Sequence, residues 1–441
     1  MERKSLFNAL VCMVFIMIAV FALSSCGSGG GSSSGSGSNS HLVWGKQVGG
    51  SGGNVRGNGV SVNGSSNVYV VGDTDVKLSG ESLVGISDAF ITKYSNSGLH
   101  SWTKLIGNTD GITSGNGVVS DNIGVYIVGS TNVGLGNRFP WGNKDYFVVK
   151  YNDLGVLDWV RQNGNVNGAT EGKGIALDNQ GNVYVTGTTN VSLSGESQVG
   201  DFDTFVAKYD NLSGNQEWIR QLGISESDAN VLATAISVDK SNNIYVTGVT
   251  NKALPNESEF GVMDFFIAKY NESGNLLWTK QFGQSGGTVY ANGITIDDSG
   301  NIYVTGQTDV GLNGKPKIGI NDAFISKYNE SGALVWLVQY GQNNVNTYGN
   351  GISFFKDGNA GYVYVVGSTG GVGLSQSYFV SKYNAASGKL QWMQIVGSAE
   401  GVFGNGIAVS LVGDAYVTGT TSASIFNKKQ GIEDYFIAKY K

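Results

Sequence analysis

The sequence predicts an all-β ring, a seven-bladed β-propeller of four-stranded antiparallel blades in which the strand around Trp44 completes the last blade. One unit recurs seven times, and Trp44 to Trp392 covers 348 residues in six intervals, a period of 58. Each unit holds four short apolar runs separated by turn signals, which suits a propeller-like array better than a leucine-rich or helical solenoid. The repeat is also out of phase with the chain. A fourth-strand segment around Trp44 comes before any complete unit, and Asp434 to Lys441 is a third strand with no fourth after it. A ring explains that offset, because pairing the two segments removes both exposed edges.

The unit Gly293 to Gly341 shows the elements in order. Gly293-Ile294-Thr295-Ile296 runs into Asp297-Asp298-Ser299-Gly300-Asn301, a tight hairpin connection. Ile302-Tyr303-Val304-Thr305-Gly306 is β-branched and aromatic, as strands prefer. A longer loop leads to Asp322–Tyr328, where Phe324, Ser326 and Tyr328 alternate with Ile325 and Lys327. Neither face of that strand is cleanly polar, so it is expected to lie between two layers. After the turn Asn329-Glu330-Ser331-Gly332, a fourth run carries Trp336.

The same marks recur around the chain. Second-strand tyrosines are Tyr69, Tyr126, Tyr184, Tyr245, Tyr303, Tyr364 and Tyr416, each followed three residues later by glycine. An Asp-x-Phe-x-x-Lys-Tyr pattern ends each third strand, with Ser377 replacing the aspartate in the sixth copy. Fourth strands carry Trp44, Trp102, Trp159, Trp218, Trp278, Trp336 and Trp392, expected to wedge between adjacent blades. With its Gly-Asn-Ile-Tyr-Val-Thr-Gly, Asp-Ala-Phe-Ile-Ser-Lys-Tyr and Ser-Gly-x-x-x-Trp elements, the unit resembles the bacterial SBBP β-propeller repeat over about nine-tenths of the chain. The resemblance implies a propeller in a bacterial, usually exported, protein and implies no particular activity.

Residues 1–25 read as a lipoprotein signal peptide. Arg3 and Lys4 precede an apolar run from Ala9 to Leu23, short for a membrane-spanning helix. Leu23-Ser24-Ser25-Cys26 resembles a lipobox, which makes Cys26 the expected lipidation site. Acyl chains contributing about 0.8 kcal/mol per buried CH₂ would hold the chain on the membrane. Gly27 in place of aspartate carries no inner-membrane retention signal, so the expected address is the outer membrane, with the leaflet left open. Residues 26–41 form a Gly/Ser tether with an average reach of roughly 20 Å, and 42–441 the propeller. Cys12 and Cys26 are the only cysteines, so the propeller has no disulfide.

Composition narrows the chemistry. Net charge is −6, and no cluster of four or more Lys and Arg appears, which argues against nucleic acid as partner. Only two histidines occur, His41 and His100, so neither nucleophilic triads nor zinc-ligand spacings can be assembled. The Ser-Gly-x-x-x-Trp element also suggests a quinoprotein, but no cofactor-specific residues accompany it. Catalytic and cofactor-binding residues are therefore not assigned. Calcium is the one cofactor with an opening, either at the hairpins Asp178–Asn182 and Asp297–Asn301 or at a ring of third-strand aspartates (Asp88, Asp145, Asp203, Asp264, Asp322, Asp434). Turn capping is the preferred reading of the hairpins, and a feature of the blade itself is the usual reading of an aspartate repeated around a ring. The third-strand lysines are expected to pack their stems on aromatics and meet blade carboxylates or carbonyls.

Departures from the repeat point to the binding surface. They fall in the loops between second and third strands, which share one rim of the disc. Blade two carries Arg138-Phe139-Pro140-Trp141, blade four Leu254-Pro255, blade five Lys315-Pro316-Lys317 and blade seven Lys428-Lys429, while blade six shortens the loop. Arg138, Phe139, Trp141, Lys315 and Lys317 are the candidate binding residues, since aromatics and arginine populate interaction hot spots. The expected function is a lipid-anchored, extracytoplasmic, non-catalytic scaffold that binds protein or glycan. A carboxylate- or metal-dependent hydrolase or lyase at the channel mouth is the alternative.

Overall fold

A computed structural model describes residues 41–136, 138–371 and 375–441. Residues 1–40, which hold the expected signal peptide, the expected lipidation site Cys26 and most of the expected tether, lie outside the described residues. Twenty-eight strands form seven four-stranded antiparallel sheets, and no helix occurs among the described residues. Blade one consists of Val55–Val62, Val68–Thr74, Asp88–Tyr94 and His100–Ile106. Blade seven consists of Val402–Val409, Ala415–Thr421, Asp434–Tyr440 and, as its outermost strand, Leu42–Val48. The first strand of each blade is innermost. Together these strands enclose a central water-accessible space of about 180 Å³, ringed by Val60, Val118, Ile175, Ile236, Ile294, Ile352 and Ile407.

The middle strands read as apolar on both faces because both are covered. Asp322–Tyr328 is buried at six of its seven positions, and seven aliphatic and aromatic clusters alternate with the blades around the ring. Across each blade the second-strand tyrosine, third-strand lysine and fourth-strand tryptophan stand side by side, as in the pairs Tyr184↔Lys208 and Lys208↔Trp218. Each of the seven ammonium groups lies over its tyrosine ring, between 5.1 and 5.7 Å from the centroid. Most then reach the next blade's hairpin turn, as Lys93 does at Asp153 (2.6 Å) and Lys269 at Glu330 (3.0 Å).

Tryptophan makes the joint between blades. The Trp102 and Trp159 indole N–H groups donate to the carbonyls of Asp153 and Asn211 in the following blade, both at 3.2 Å. The glycine of the Ser-Gly-x-x-x-Trp element lies against the previous blade's indole. Gly155 holds a positive φ of 78°, and a Cβ there would crowd Trp102. At the seam the hairpin is replaced by the two strand ends. His41 stacks on Trp392 at 4.2 Å and 12°, and the Lys441 N–H donates to the His41 carbonyl.

One element begins earlier than its sequence suggests. The first strand of blade five is Val289–Ile296, four residues longer at its start than the run from Gly293. Ala291-Asn292-Gly293 is a β-bulge within the strand, and the same register shift occurs in all seven innermost strands. The bulged side chain reaches the next blade in six of seven cases. Asn58, Asn116, Asn292, Asn350 and Asn405 donate through Nδ2, and Thr234 through its hydroxyl, at 2.7–2.9 Å. The Asn405 bond to the Gly57 carbonyl crosses the seam. In blade three the position is Lys173, which pairs with Glu171 at 2.7 Å.

Two outcomes are expected from this arrangement. Trp159→Ala, at one of the buried joints, should cost about 3–5 kcal/mol in denaturant unfolding. Removing residues 41–50 should lower the melting temperature and give a self-associating protein in light scattering, because the Asp434–Tyr440 strand becomes an open edge.

Candidate functional site

The loops between second and third strands share a rim with the crossovers from each fourth strand to the next blade. Short parallel bridges join them, for example Lys144 with Ala169 and Met263 with Thr288. These loops are built on a repeated clamp. In blade two both Asp145 carboxylate oxygens accept loop amides, from Trp141 N at 2.7 Å and Gly142 N at 2.9 Å, and Oδ2 also accepts Gln162 Nε2 at 2.7 Å. Gln162 in turn accepts the Leu135 N–H and donates to the Val133 carbonyl. Asp203, Asp264, Asp322 and Asp434 repeat the arrangement with Gln221, Gln281, Gln339 and Gln47. In six blades the glycine after the fourth strand packs on this aspartate, so that a Cβ at Gly341 would overlap the Asp322 carboxylate. Blade six has lost both partners, with Ser377 for the aspartate and Ile395 for the glutamine.

This clamp decides between the two readings of the recurring aspartate, in favour of a blade feature. The recurring aspartates do not form a carboxylate ring at the channel. They are buried in their own blades, with their lone pairs committed to backbone amides. The hairpin aspartates are also turn residues. Asp178 accepts from the amides of Gln180 and Asn182, the Asn182 side chain and the Tyr184 hydroxyl, and Asp297 accepts the equivalent four. No group of three or more His, Cys, Asp or Glu placed to hold a metal occurs among the described residues.

The clamp also separates true departures from apparent ones. Leu254 is buried and is blade four's copy of Leu78, Leu135, Leu193 and Leu312, so it belongs to the repeat. Arg138, Phe139, Trp141, Lys315 and Lys317 are exposed, Phe139 by 89% and Trp141 by 56%. The structure places Arg138, Phe139 and Trp141 on one short stretch of blade two, held at its base by Asp145. Lys315 and Lys317 sit on blade five, three blades away along the same rim. The tryptophans at positions 44, 102, 159, 218, 278, 336 and 392 are at the outer strands, away from both the rim loops and the channel.

The innermost strands break the symmetry where they begin, on this rim. Two residues before the bulge, blades one to three carry Arg56, Ser114 and Glu171, whereas blades four to seven carry Leu232, Tyr290, Tyr348 and Phe403. One arc is polar, with charges at Arg56 and Glu171, and the other is apolar or aromatic. The recurring Gly-Asn-Gly triplets that locate these positions were the available signal. Arg56 pairs with Glu433 at 2.7 Å and Asp73 at 3.5 Å, and Glu171 lies between Lys144 (2.6 Å) and Lys173 (2.7 Å).

Two carboxyls of the polar arc titrate in opposite senses. Burial dominates at Asp73 and lifts its carboxyl above the ordinary range, although Arg56, Asn58 and Ser114 all bond to it. Its stabilising contribution is present below the unfolded value of about 3.9 and is lost as pH rises through the folded value. Burial also raises Glu171, but Lys173 and Lys144 together outweigh it and hold the carboxyl below its usual value. The Glu171 contribution is therefore present above about pH 4.3 and lost as pH falls through the folded value. In thermal melts Glu171→Gln should start below the parent protein at pH 7 and converge on it as the pH falls below about 4.

Comparison with known proteins agrees with this architecture. The family description "Beta-propeller repeat" (SBBP) matches residues 43–78, 158–193, 217–254, 277–313 and 391–427. An uncharacterized WD repeat-containing protein of Acanthamoeba polyphaga mimivirus is 24% identical over 346 residues, covering 59% of this chain. The chain spans about a quarter of that relative's length, 24%. Among solved structures, a chain of the mitotic checkpoint complex has a TM-score of 0.51 at 12% identity, covering 96% of this chain and 99% of that one. A polysaccharide lyase follows at 0.48 and 10%, covering 87% and 90%. At 12% identity the likeness to the checkpoint-complex chain shows the fold alone, and five segments of this chain are similar to the SBBP β-propeller repeat.

Proposed function

We propose that this protein is a lipid-anchored, extracytoplasmic binding scaffold that engages a protein partner through the rim of second-to-third-strand loops. The observation that carries the reading is the division of labour among its residues. Repeated carboxylates, lysines and tryptophans are consumed by bonds within and between blades. Arg138, Phe139 and Trp141 instead stand exposed on a clamped loop, and Arg138 has no carboxylate partner among the described residues. Catalysis at the channel mouth lacks equivalent support, since Asp73, Glu171 and Glu433 are each bound by a cation of the same chain.

The anchor fits the same reading. The outermost strand of blade seven begins at Leu42 opposite Tyr440, on the face of the hairpin turns. The variable-loop rim lies on the opposite face, so an anchor at Cys26 joins the propeller at the end away from the proposed binding loops. Cys26→Ser should move the protein from the membrane to the soluble fraction, and protease added to intact cells reports which side of the envelope the propeller occupies. The double variant Arg138→Ala, Trp141→Ala should lose at least about tenfold in saturable binding to isolated envelope fractions, with an unchanged melting temperature. Undiminished binding removes this loop from the site.

A further inference from the structure

We propose that the blade-two loop is an anion-recognition site in which Arg138 and Arg161 together take a side-chain carboxylate from an acidic peptide segment of the partner, with Phe139 and Trp141 packing on the flanking apolar residues. The proposal rests on the rim reading above and names the chemistry of the partner.

The argument comes from comparing blades within the molecule. Three residues after the buried loop leucine, blades one, three and four carry Glu81, Glu196 and Glu257. Each pairs with a cation on the outermost strand of its own blade, two residues beyond the tryptophan. The partners are Lys104 at 3.3 Å, Arg220 at 3.6 Å and Lys280 at 3.0 Å. Blade two keeps the outer cation as Arg161 but places Arg138 where the glutamate belongs. Arg161 holds the same pose as Arg220. Each guanidinium sits 5.7 Å from the ring of its own tryptophan and donates to the carbonyl of the preceding residue, Val160 or Ile219. Arg161 also donates to the Ser213 carbonyl of blade three. A fixed cation is thus retained, its acid is gone, and a second cation stands in its place. Burial, and then the Arg138 charge, make Arg161 easier to deprotonate than a free guanidinium. Among the described residues no carboxylate pairs with either side chain.

A carboxylate supplied from outside would restore the missing charge, in the place where Glu196 meets Arg220. Guanidinium suits it, because its planar donors match two carboxylate oxygens at once. The neighbouring chemistry favours peptide over acidic glycan. A uronate brings several hydroxyls that need polar partners, whereas Phe139, Pro140 and Trp141 offer rings and no side-chain acceptor. Aromatic side chains beside arginine are the composition of protein–protein hot spots.

The test uses purified protein and three fluorescent probes: a ten-residue peptide alternating glutamate and leucine, its glutamine counterpart, and a polyuronate oligosaccharide of matching charge. The glutamate peptide should bind at least about tenfold more tightly than the other two. Arg138→Glu rebuilds the ion pair of blades one, three and four, so it should fold with an equal or higher melting temperature and lose peptide binding at least about tenfold. Unchanged peptide binding in Arg138→Glu overturns the proposal, and so does equal or tighter binding of the glutamine peptide or the uronate. If neither peptide binds the parent protein while the double alanine variant still loses envelope binding, the rim reading stands and the carboxylate assignment falls. If the peptide binds but envelope binding ignores the double variant, the anion site stands and the rim reading falls.

Discussion

A four-stranded sheet whose two faces are both apolar cannot stand alone, and the middle strands here are apolar on both sides. Each blade therefore needs a neighbour on either side, and only a closed ring gives every blade two. The last contact of that ring is the pairing of Leu42–Val48 with Asp434–Tyr440. Local chemistry at the seam follows the other joints closely. Trp44 donates to the Asn96 carbonyl as Trp102 does to Asp153, and Gln47 clamps Asp434 as Gln162 clamps Asp145. Where the hairpin glycine is missing, His41 covers Trp392 instead. The seam is thus an ordinary joint made from distant parts of the chain.

Closure sets what the remaining residues are free to do. Around the channel six of the bulged side chains bond from blade to blade, and nearer the outer edge the indoles of Trp44, Trp102, Trp159, Trp218 and Trp336 do the same. These two rows of bonds fix the angle between blades from inside and outside. A residue that serves them recurs, because the same joint is made seven times. The rim loops lie beyond both rows and are tied down only at the base, so substitutions at their tips leave the joints untouched. Binding specificity can accumulate there without loss of the ring.

Much of this was legible in the residues, and the exceptions have a common cause. Tyr303, Asp322, Lys327 and Trp336 announce themselves because each recurs at fixed spacing inside a β-branched run. The Gly-Asn-Gly triplets also recur, but glycine and asparagine are ordinarily turn formers, so they do not mark a strand-internal bulge, and the blade-five strand begins four residues before Gly293. Leu254-Pro255 looked like a departure because the proline drew the eye, while the leucine is a buried plug shared by five blades. The third-strand aspartates read as a blade feature but left a channel-lining ring open, since repetition gives symmetry but not radius. Their depth within the blade depends on which strand is innermost, a fact of tertiary structure.

Arg161 shows the limit most clearly. Taken alone it is one of several cations two residues past a tryptophan, matched by Lys104, Arg220 and Lys280. Its meaning lies in Arg138, from a loop that folds back onto the outer strand, and in the glutamates that other blades place at the same point. A repeat protein carries its own controls, since the same backbone geometry is presented seven times with different side chains. The position where an ion pair is retained in three blades and replaced by like charge in a fourth is therefore informative without any related sequence. Two guanidiniums brought together on a fixed scaffold repel one another, and that repulsion is relieved when an anion arrives. The folded ring holds the arginines together whether or not a ligand is present, so closure of the ring and the charge of the rim are parts of one argument.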